Sequence, residues 1–345
     1  MVSTLDDTKR ASIATKLASM KVVQGLLIEN EQKLSPQITD QKIQERFQKM
    51  LEDDRKNLGI LETVIVQYGV SSKPAENVTE MVEKLSELMS GSKLSLYEKV
   101  FQHEILKHQQ TMSGLLVHKA AQKVGADVEV AIAPLNTVNF ENRAHQEQLK
   151  GVLEVLGVRE LTGQEADQGL WARVQDAVAA LSGIAGSAIT QASDSSDMKV
   201  QDVIRADHAK VSVLFAEIEG SNNPQKTREY FGQLYKDLSA HSEAEEHVVY
   251  PAVRPFYGED NTQELYSEQA EMKEMLDKIK AMDVSSSGFK DAVKLLKESV
   301  LDHVRQEEST MLAAIGKNFS DEQSQQLSTE FKAAKSRFQK EIRLR

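Results

Sequence analysis

Only 6 prolines and 17 glycines interrupt these 345 residues, and that scarcity sets the fold class. Proline removes a backbone donor and glycine is entropically costly inside a regular element, so a chain with few of either can sustain long helices. Apolar residues recur at spacings of three and four almost from end to end, while alternating Val/Ile-rich segments are rare. That period reads as an all-α chain. Helices are expected over 7–33, 38–69, 75–90, 94–124, 137–157 and 163–188, then over 199–219, 225–253, 260–282, 287–316 and 321–341.

The pattern breaks at Ser187–Met198, SAITQASDSSDM, a polar stretch of small residues that reads as a linker. Two domains are therefore expected, a helical bundle over 1–190 and a second bundle over 199–345. In the second, short breaks at 220–224 (GSNNP), Gly258 and 285–288 (SSSG) separate four helices, and a fifth follows. Short connections make antiparallel neighbours, the up-down-up-down arrangement.

Lys and Arg number 42 against 53 Asp and Glu, a formal net charge of −11. On that balance no nucleic-acid partner is expected, since such a protein needs a basic face. There is no cysteine, which excludes disulfides, thiolate metal sites and cysteine nucleophiles. The first residues, MVSTLDDTKRASIATKL, hold no apolar core of signal-peptide length, and no run of about 18 apolar residues reads as a membrane span. A cytoplasmic protein without membrane contact is the expectation. Nucleophile motifs, a P-loop and a dinucleotide fingerprint are all missing.

Chemistry concentrates in the second half, where residues 241–251 read HSEAEEHVVYP. His241 stands four residues before Glu245, and His303 four before Glu307. That spacing stacks the two side chains on one helical face. His208 lies on the first helix of this half, in the run Arg-Ala-Asp-His. Counted from the breaks near 222, 257 and 286, His208, His241, position 269 and His303 lie within about five residues of one level, on the order of 7 Å of helical rise. Leu234, Leu238, His241, Glu245 and Val248 form one stripe; Leu295, Leu296, Ser299, Val300, His303, Glu307 and Met311 form another. Imidazoles and carboxylates at inward positions need partners. Cations held between them would satisfy all together; solvated or interhelical ion pairs are the alternative. His247, off the stripe, reads as surface, and Tyr250-Pro251 as the end or a kink of the helix beyond the site.

The segments IRADHAKVSVLFAEIE, LSAHSEAEEHVVYPAV and LDHVRQEESTML resemble the hemerythrin-like (HHE cation-binding) family over roughly 199–316. The resemblance implies a four-helix bundle around a non-haem diiron centre, with His208, His241, Glu245, His303 and Glu307 as ligands and the two glutamates as bridges. One departure stands out. Where the family has a third-helix histidine, this chain has Gln269 in YSEQAEMKEML, so Gln269, Glu268, Glu271 or a water is left to fill that position. Gln is a weak, neutral oxygen ligand.

In the first half, Glu104 and His108, Glu141 and His145, and Asp54 also fall on helical stripes. His108 joins Phe101, Ile105, Met112 and Leu115; His145 joins Leu149, Val152 and Leu156; Asp54 falls among Phe47, Leu51, Leu58 and Leu61. In kind this resembles ferritin-like carboxylate sites, without their Glu-x-x-His spacing. A second metal site, a buried polar network and exposed helix polarity remain open. The function expected is a non-haem iron protein acting in iron handling or in O2 or NO binding or sensing. The alternatives are a diiron redox enzyme acting on peroxide or O2, and a metal-stabilised interaction scaffold. A small diatomic ligand or peroxide, and a protein partner or self-association, are the expected partners.

Overall fold

In the computed structural model, residues 8–165 and 198–344 are described. They form eleven helices and no strand. In chain order these are α1 (Thr8–Leu34), α2 (Gln41–Tyr68), α3 (Glu76–Ser90), α4 (Leu96–Val124), α5 (Ala126–Ile132) and α6 (Leu135–Thr162), then α7 (Val200–Gly220). Next come α8, α9 (Glu259–Lys280), α10 and α11 (Asp321–Leu344). Helix α8 is Pro224–Ala244, a π-helical turn over Glu245–Val249, and Tyr250–Tyr257. Helix α10 repeats that design, with Ser287–Gln306, a π-helical turn over Glu307–Met311, and Leu312–Asn318. The expected helix over 163–188 lies outside the described residues from 166 on, its first three residues being non-helical, and all of the expected linker except Met198 lies outside them too.

Helices α1, α2, α4 and α6 close one four-helix ring, with α3 laid on α1; α7, α8, α9 and α10 close another, with α11 laid on α8 and α7. The ends are fixed locally. Asp40 caps α2 by accepting from the N–H groups of Lys42 and Ile43, at 2.9 and 3.2 Å. Ser95 and Glu98 form a reciprocal capping box on α4. Pro224 opens α8 behind the Asn223 cap.

The two rings meet at the C-terminus of α2. Gly69 ends that helix at φ +75°, and a Cβ there would stand 2.9 Å from Asp237 Oδ1. Lys210 donates to the Gln67 and Tyr68 carbonyls at 2.6 and 3.2 Å, and Lys236 donates to the Gly69 carbonyl. Two ammonium groups thus satisfy carbonyls that the helix itself leaves unpaired.

Several stripes read from the sequence are corrected. On α4 the apolar stripe faces solvent, with Phe101, Ile105, Met112, Leu115 and Leu116 exposed, and His108 is exposed with it. The buried face of that helix carries His103, Lys107 and Gln110. On α10, Leu295 and Ser299 also face outward. Tyr250-Pro251 does not end its helix. Proline is tolerated where its missing N–H has no partner to lose, and the helix runs on to Tyr257. Helix α1 with its short extension, Thr8–Gln37, is long and apolar enough to cross a membrane, contrary to the reading above; half of it is buried inside the bundle.

Candidate metal centre

A polar layer cuts the C-terminal bundle between two apolar clusters. Val203, Val249, Val253, Leu265 and Phe331 lie in one cluster. Val211, Leu214, Leu238, Met272 and Val300 lie in the other. Between them each helix gives polar residues: the adjacent Asp207 and His208 from α7, His241 and Glu245 one turn apart on α8, Gln269 from α9, and His303 and Glu307 one turn apart on α10. All seven are buried.

One ligand atom each from His208, His241, Glu245 and Glu307 falls within 4.8 Å of the others, a set that could hold a metal ion. His303 stands beside it, its Nε2 3.3 Å from Glu307 Oε1. Glu307 Oε2 faces the other way, 3.4 Å from His208 Nε2. His241 Nε2 lies 3.1 Å from Glu245 Oε2.

Each imidazole is oriented from behind. His208 Nδ1 is 2.8 Å from Glu308 Oε1, His241 Nδ1 is 2.9 Å from Asp207 Oδ2, and His303 Nδ1 is 2.6 Å from Glu268 Oε2. A carboxylate on Nδ1 fixes the ring and leaves Nε2 to point at a cation. Lys335 of α11 bonds the far oxygen of Asp207, and Phe331 of the same helix packs its ring 5.7 Å from His241.

Both π-helical turns begin at the site glutamates, Glu245 and Glu307. Such a turn carries one extra residue, so the face that follows is rotated relative to an α-helix; π-turns are frequent at functional sites. Here the extra residue brings Tyr250 inward. Its hydroxyl donates to Glu307 Oε1 at 2.7 Å, and Gln269 Nε2 donates to that hydroxyl at 2.6 Å and to Glu245 Oε2 at 2.7 Å.

The electrostatics show a layer short of positive charge. Glu245, Glu307 and Asp207 bring three carboxylates and Lys335 one ammonium, so neutral imidazoles leave a surplus of two negative charges (3 − 1 = 2). Burial alone would lower the imidazole pKa values. The carboxylates outweigh it: Glu245 and Asp207 push His241 up to about 10, and Glu307 and Glu268 push His303 up to about 9. Burial would raise Glu307, yet His303 and His208 hold it well below the usual carboxylate range. Burial, reinforced by Glu307 and Glu245, drives Tyr250 well above its ordinary value, so the hydroxyl stays a donor. Four buried atoms in the layer make no hydrogen bond: His208 Nε2, Glu245 Oε1, Glu307 Oε2 and Gln269 Oε1. These donors are what a cation of the first transition row binds, so the residues fit a metal.

Of the residues singled out in the sequence, the structure gathers His208, His241, Glu245, His303, Glu307 and Gln269 in this layer. Glu268 is turned to His303, and Glu271 is exposed. Tyr250, Asp207 and Lys335 join the site only in the folded structure. Asp207 was legible as the residue before His208. Tyr250 was hidden by the π-turn, and Lys335 by its distance along the chain. His247 is exposed, as read, against Phe338 at a ring distance of 5.1 Å.

The N-terminal candidates do not assemble as one set. Asp54 is tied to Lys107 in a buried network with Glu31, His103 and His145. Gln146 links Glu104 and His108 at the edge, at 3.0 and 2.7 Å.

The family model for the hemerythrin HHE cation binding domain matches residues 199–315. An uncharacterised hemerythrin-like protein of Schizosaccharomyces pombe is 29% identical over 140 residues, 40% of this chain and 69% of its own length. A protein of Nostoc sp. (strain PCC 7120) named DNA nickase is 65% identical over 342 residues, 99% of this chain and 97% of that one. No solved structure matches the chain. The Nostoc match overturns the expectation that nucleic acid is excluded as a partner. That expectation rested on net charge, a sum over the whole chain that does not register a local basic face. This chain belongs to the family of the Nostoc protein, and its C-terminal bundle carries a hemerythrin HHE cation binding domain.

Proposed function

We propose that this chain is a metal-dependent protein that nicks DNA, and that its C-terminal bundle holds a pair of non-haem iron ions. The single observation that carries the nicking is the 65% identity, over almost the full length of both chains, to the protein named DNA nickase. The metal half of the reading is supported by the charge deficit of the buried layer and by its unpaired His208, Glu245, Glu307 and Gln269 atoms.

In this reading His208, His241, Glu245, His303 and Glu307 would hold the ions, the two oxygens of Glu307 facing His208 and His303, and the unpartnered Gln269 carbonyl oxygen would be a weak further donor. A non-haem iron pair supplies Lewis acidity and one-electron redox chemistry when bound. The chain's own residues then have distinct tasks. Asp207, Glu308 and Glu268 hold the imidazoles at their Nδ1 atoms, and Tyr250 holds Glu307 by donating to Oε1. The apolar clusters on both sides keep bulk water off the layer.

The test is conversion of supercoiled plasmid to open circle by protein stripped with a chelator and then reloaded with iron or manganese. Open circles are expected from reloaded protein and not from stripped protein. Equal nicking by the stripped protein, or none under any metal, sinks the proposal.

A second reading keeps the iron pair as a centre for O2, NO or peroxide. What favours it is burial: with Glu245 and Glu307 0% exposed, only a very small ligand can reach the layer. Absorption spectra of the reduced and oxidised protein, with and without O2, peroxide and azide, decide it. Spectra indifferent to all of these additions exclude it.

A further inference from the structure

Helix α11 begins at Asp321, beyond the residues 199–315 that the family model matches, yet it reaches the polar layer. Phe331 and Lys335 stand four residues apart, on one face of α11. Phe331 meets the His241 ring edge-on at 5.7 Å, and Lys335 bonds Asp207 Oδ1.

Other residues seat this helix. Asp321 pairs with Lys199 at 2.6 Å, and Ser324 Oγ accepts from the Val200 N–H at 3.3 Å. Leu327, Ala334 and Phe338 join the apolar cluster beside Phe331. Towards the N-terminal bundle, Lys332 donates to Thr63 Oγ1 at 3.2 Å and Gln339 to the Val66 carbonyl at 3.1 Å, both on α2. A buried ammonium is a costly way to add to such seating, since an apolar side chain of similar volume packs without desolvating a charge. The Lys335 side chain is nevertheless 2% exposed, and Asp207 is its one bonding partner among the described residues. The charge at position 335 therefore acts on Asp207.

That sets His241 apart from the other two imidazoles. Glu308 behind His208 and Glu268 behind His303 have side chains 36% and 33% exposed, so water screens them. Asp207 is buried, and both of its oxygens are committed: Oδ2 to His241 Nδ1 at 2.9 Å and Oδ1 to Lys335. Among the described residues, His241 alone of the three is backed by a carboxylate that an ammonium holds from behind.

We infer that Lys335 is a positioning residue of the metal centre: by holding Asp207 Oδ1 it fixes that carboxylate on His241 Nδ1 and limits how strongly His241 Nε2 donates to an iron ion. The inference rests on the metal half of the proposed function. A carboxylate on Nδ1 makes an imidazole a stronger ligand. An ammonium on the far oxygen of that carboxylate draws charge back from the imidazole and places a positive charge near the ion in a low-dielectric interior. Both effects disfavour the oxidised, more highly charged ion. Removing the ammonium lowers the reduction potential, and neutralising Asp207 raises it.

The experiment uses the full chain loaded with iron and equilibrated with redox mediators at the midpoint potential of the parent, with absorbance reading the ratio of oxidised to reduced protein. In Lys335→Met that ratio should rise at least tenfold, a potential lower by about 59 mV for one electron. Lys335→Arg, which keeps the charge, should stay within threefold of the parent. Asp207→Asn should move the ratio at least tenfold the other way. Lys332→Met removes a buried lysine of the same helix that bonds Thr63 instead of the layer, and it should leave the ratio unmoved. An unmoved ratio in Lys335→Met, or an equal shift in Lys332→Met, overturns the inference. Should Lys335→Met fail to hold iron, Asp207→Asn decides: a ratio unmoved, or moved towards the oxidised form, overturns it. A parent that retains no iron refutes the metal reading and this inference with it. A parent that retains iron while the variants show none of these shifts refutes the role of Lys335 alone.

Discussion

The two bundles of this chain each bury a polar layer of imidazoles and carboxylates, and they solve its charge in opposite ways. In the N-terminal bundle Lys107 is buried with its ammonium against Asp54, 3.4 Å from Glu31 and 2.9 Å from His145. Burial raises Glu31 far above the usual carboxylate range, while Lys107 and His145 hold Asp54 far below it. Glu31 is thus pushed toward its neutral form and Asp54 toward its ionised form, with the Lys107 ammonium between them. Burial and the nearby ammonium lower His103 to about 3, so that ring stays neutral. The C-terminal layer has its one ammonium, Lys335, engaged at the edge with Asp207. Its centre has no cation of its own, and the imidazoles take up protons instead. A layer closed by a lysine is a structural network. A layer left short of positive charge is one that a bound cation would complete. Residue types alone do not separate the two; the position of one ammonium does.

The largest expected effect breaks the N-terminal solution. Lys107→Met takes the only ammonium from the buried Asp54 and leaves it His145 at 3.5 Å and Asn57 at 3.4 Å, which should cost roughly 3–5 kcal/mol of unfolding free energy, the range for removing one partner of a buried ion pair. Chemical denaturation measures it. A loss under about 1 kcal/mol, or a loss fully restored by added metal, would show that this layer can use a metal after all, and the contrast would collapse.

Metal removal comes next. A ligand that binds only the folded state stabilises it by about 4 kcal/mol at a free concentration near 1,000 times its dissociation constant. Chelation should therefore lower the melting temperature of the parent by several degrees, but not that of His241→Ala, which should already have lost the metal. Identical chelator shifts in the two proteins would place the stabilising metal elsewhere.

The proton substitutes give a pH signature to the stripped protein. His241 and His303 sit at about 10 and about 9 when folded, above the unfolded value of roughly 6.5. Folded-state pKa values above the unfolded one mean that the folded state holds the extra protons. Their stabilisation is complete below about pH 6.5 and is lost as pH rises through 9 and 10. Melting temperature against pH should fall across that window for stripped protein and much less for reloaded protein. Parallel curves for the two would mean the cation does not replace those protons.

The smallest effect sharpens the view of Tyr250. Tyr250→Phe removes the donor to Glu307 Oε1 and one partner of Gln269. Metal affinity, read by competition with a chelator, should fall about tenfold, on the order of 1.4 kcal/mol. Unchanged affinity would make the hydroxyl a packing feature alone.

How much of this was readable in the chain depends on which interactions are local. Helix positions follow from a 3.6-residue period and few breakers, and the described helices lie within a few residues of the expected ones except α5, a short connector of seven residues. The residues of the candidate metal layer were legible because His241 with Glu245 and His303 with Glu307 are four apart on single helices. The outward apolar face of α4 was not. A helix shows two faces, and the sequence cannot say which one its neighbours cover when His103, Lys107 and Gln110 are bought into the core by partners on other helices.

The sequence by itself determined the helices, the spacing that stacks imidazole over carboxylate, and the excess of acidic residues. Only the tertiary structure decided where the cations stand. Lys107 meets Asp54 across 53 residues, and Lys335 meets Asp207 across 128. Charge compensation acts over a few ångströms of space in a low-dielectric interior. A pattern of residues along the chain carries no measure of that distance until the helices are packed.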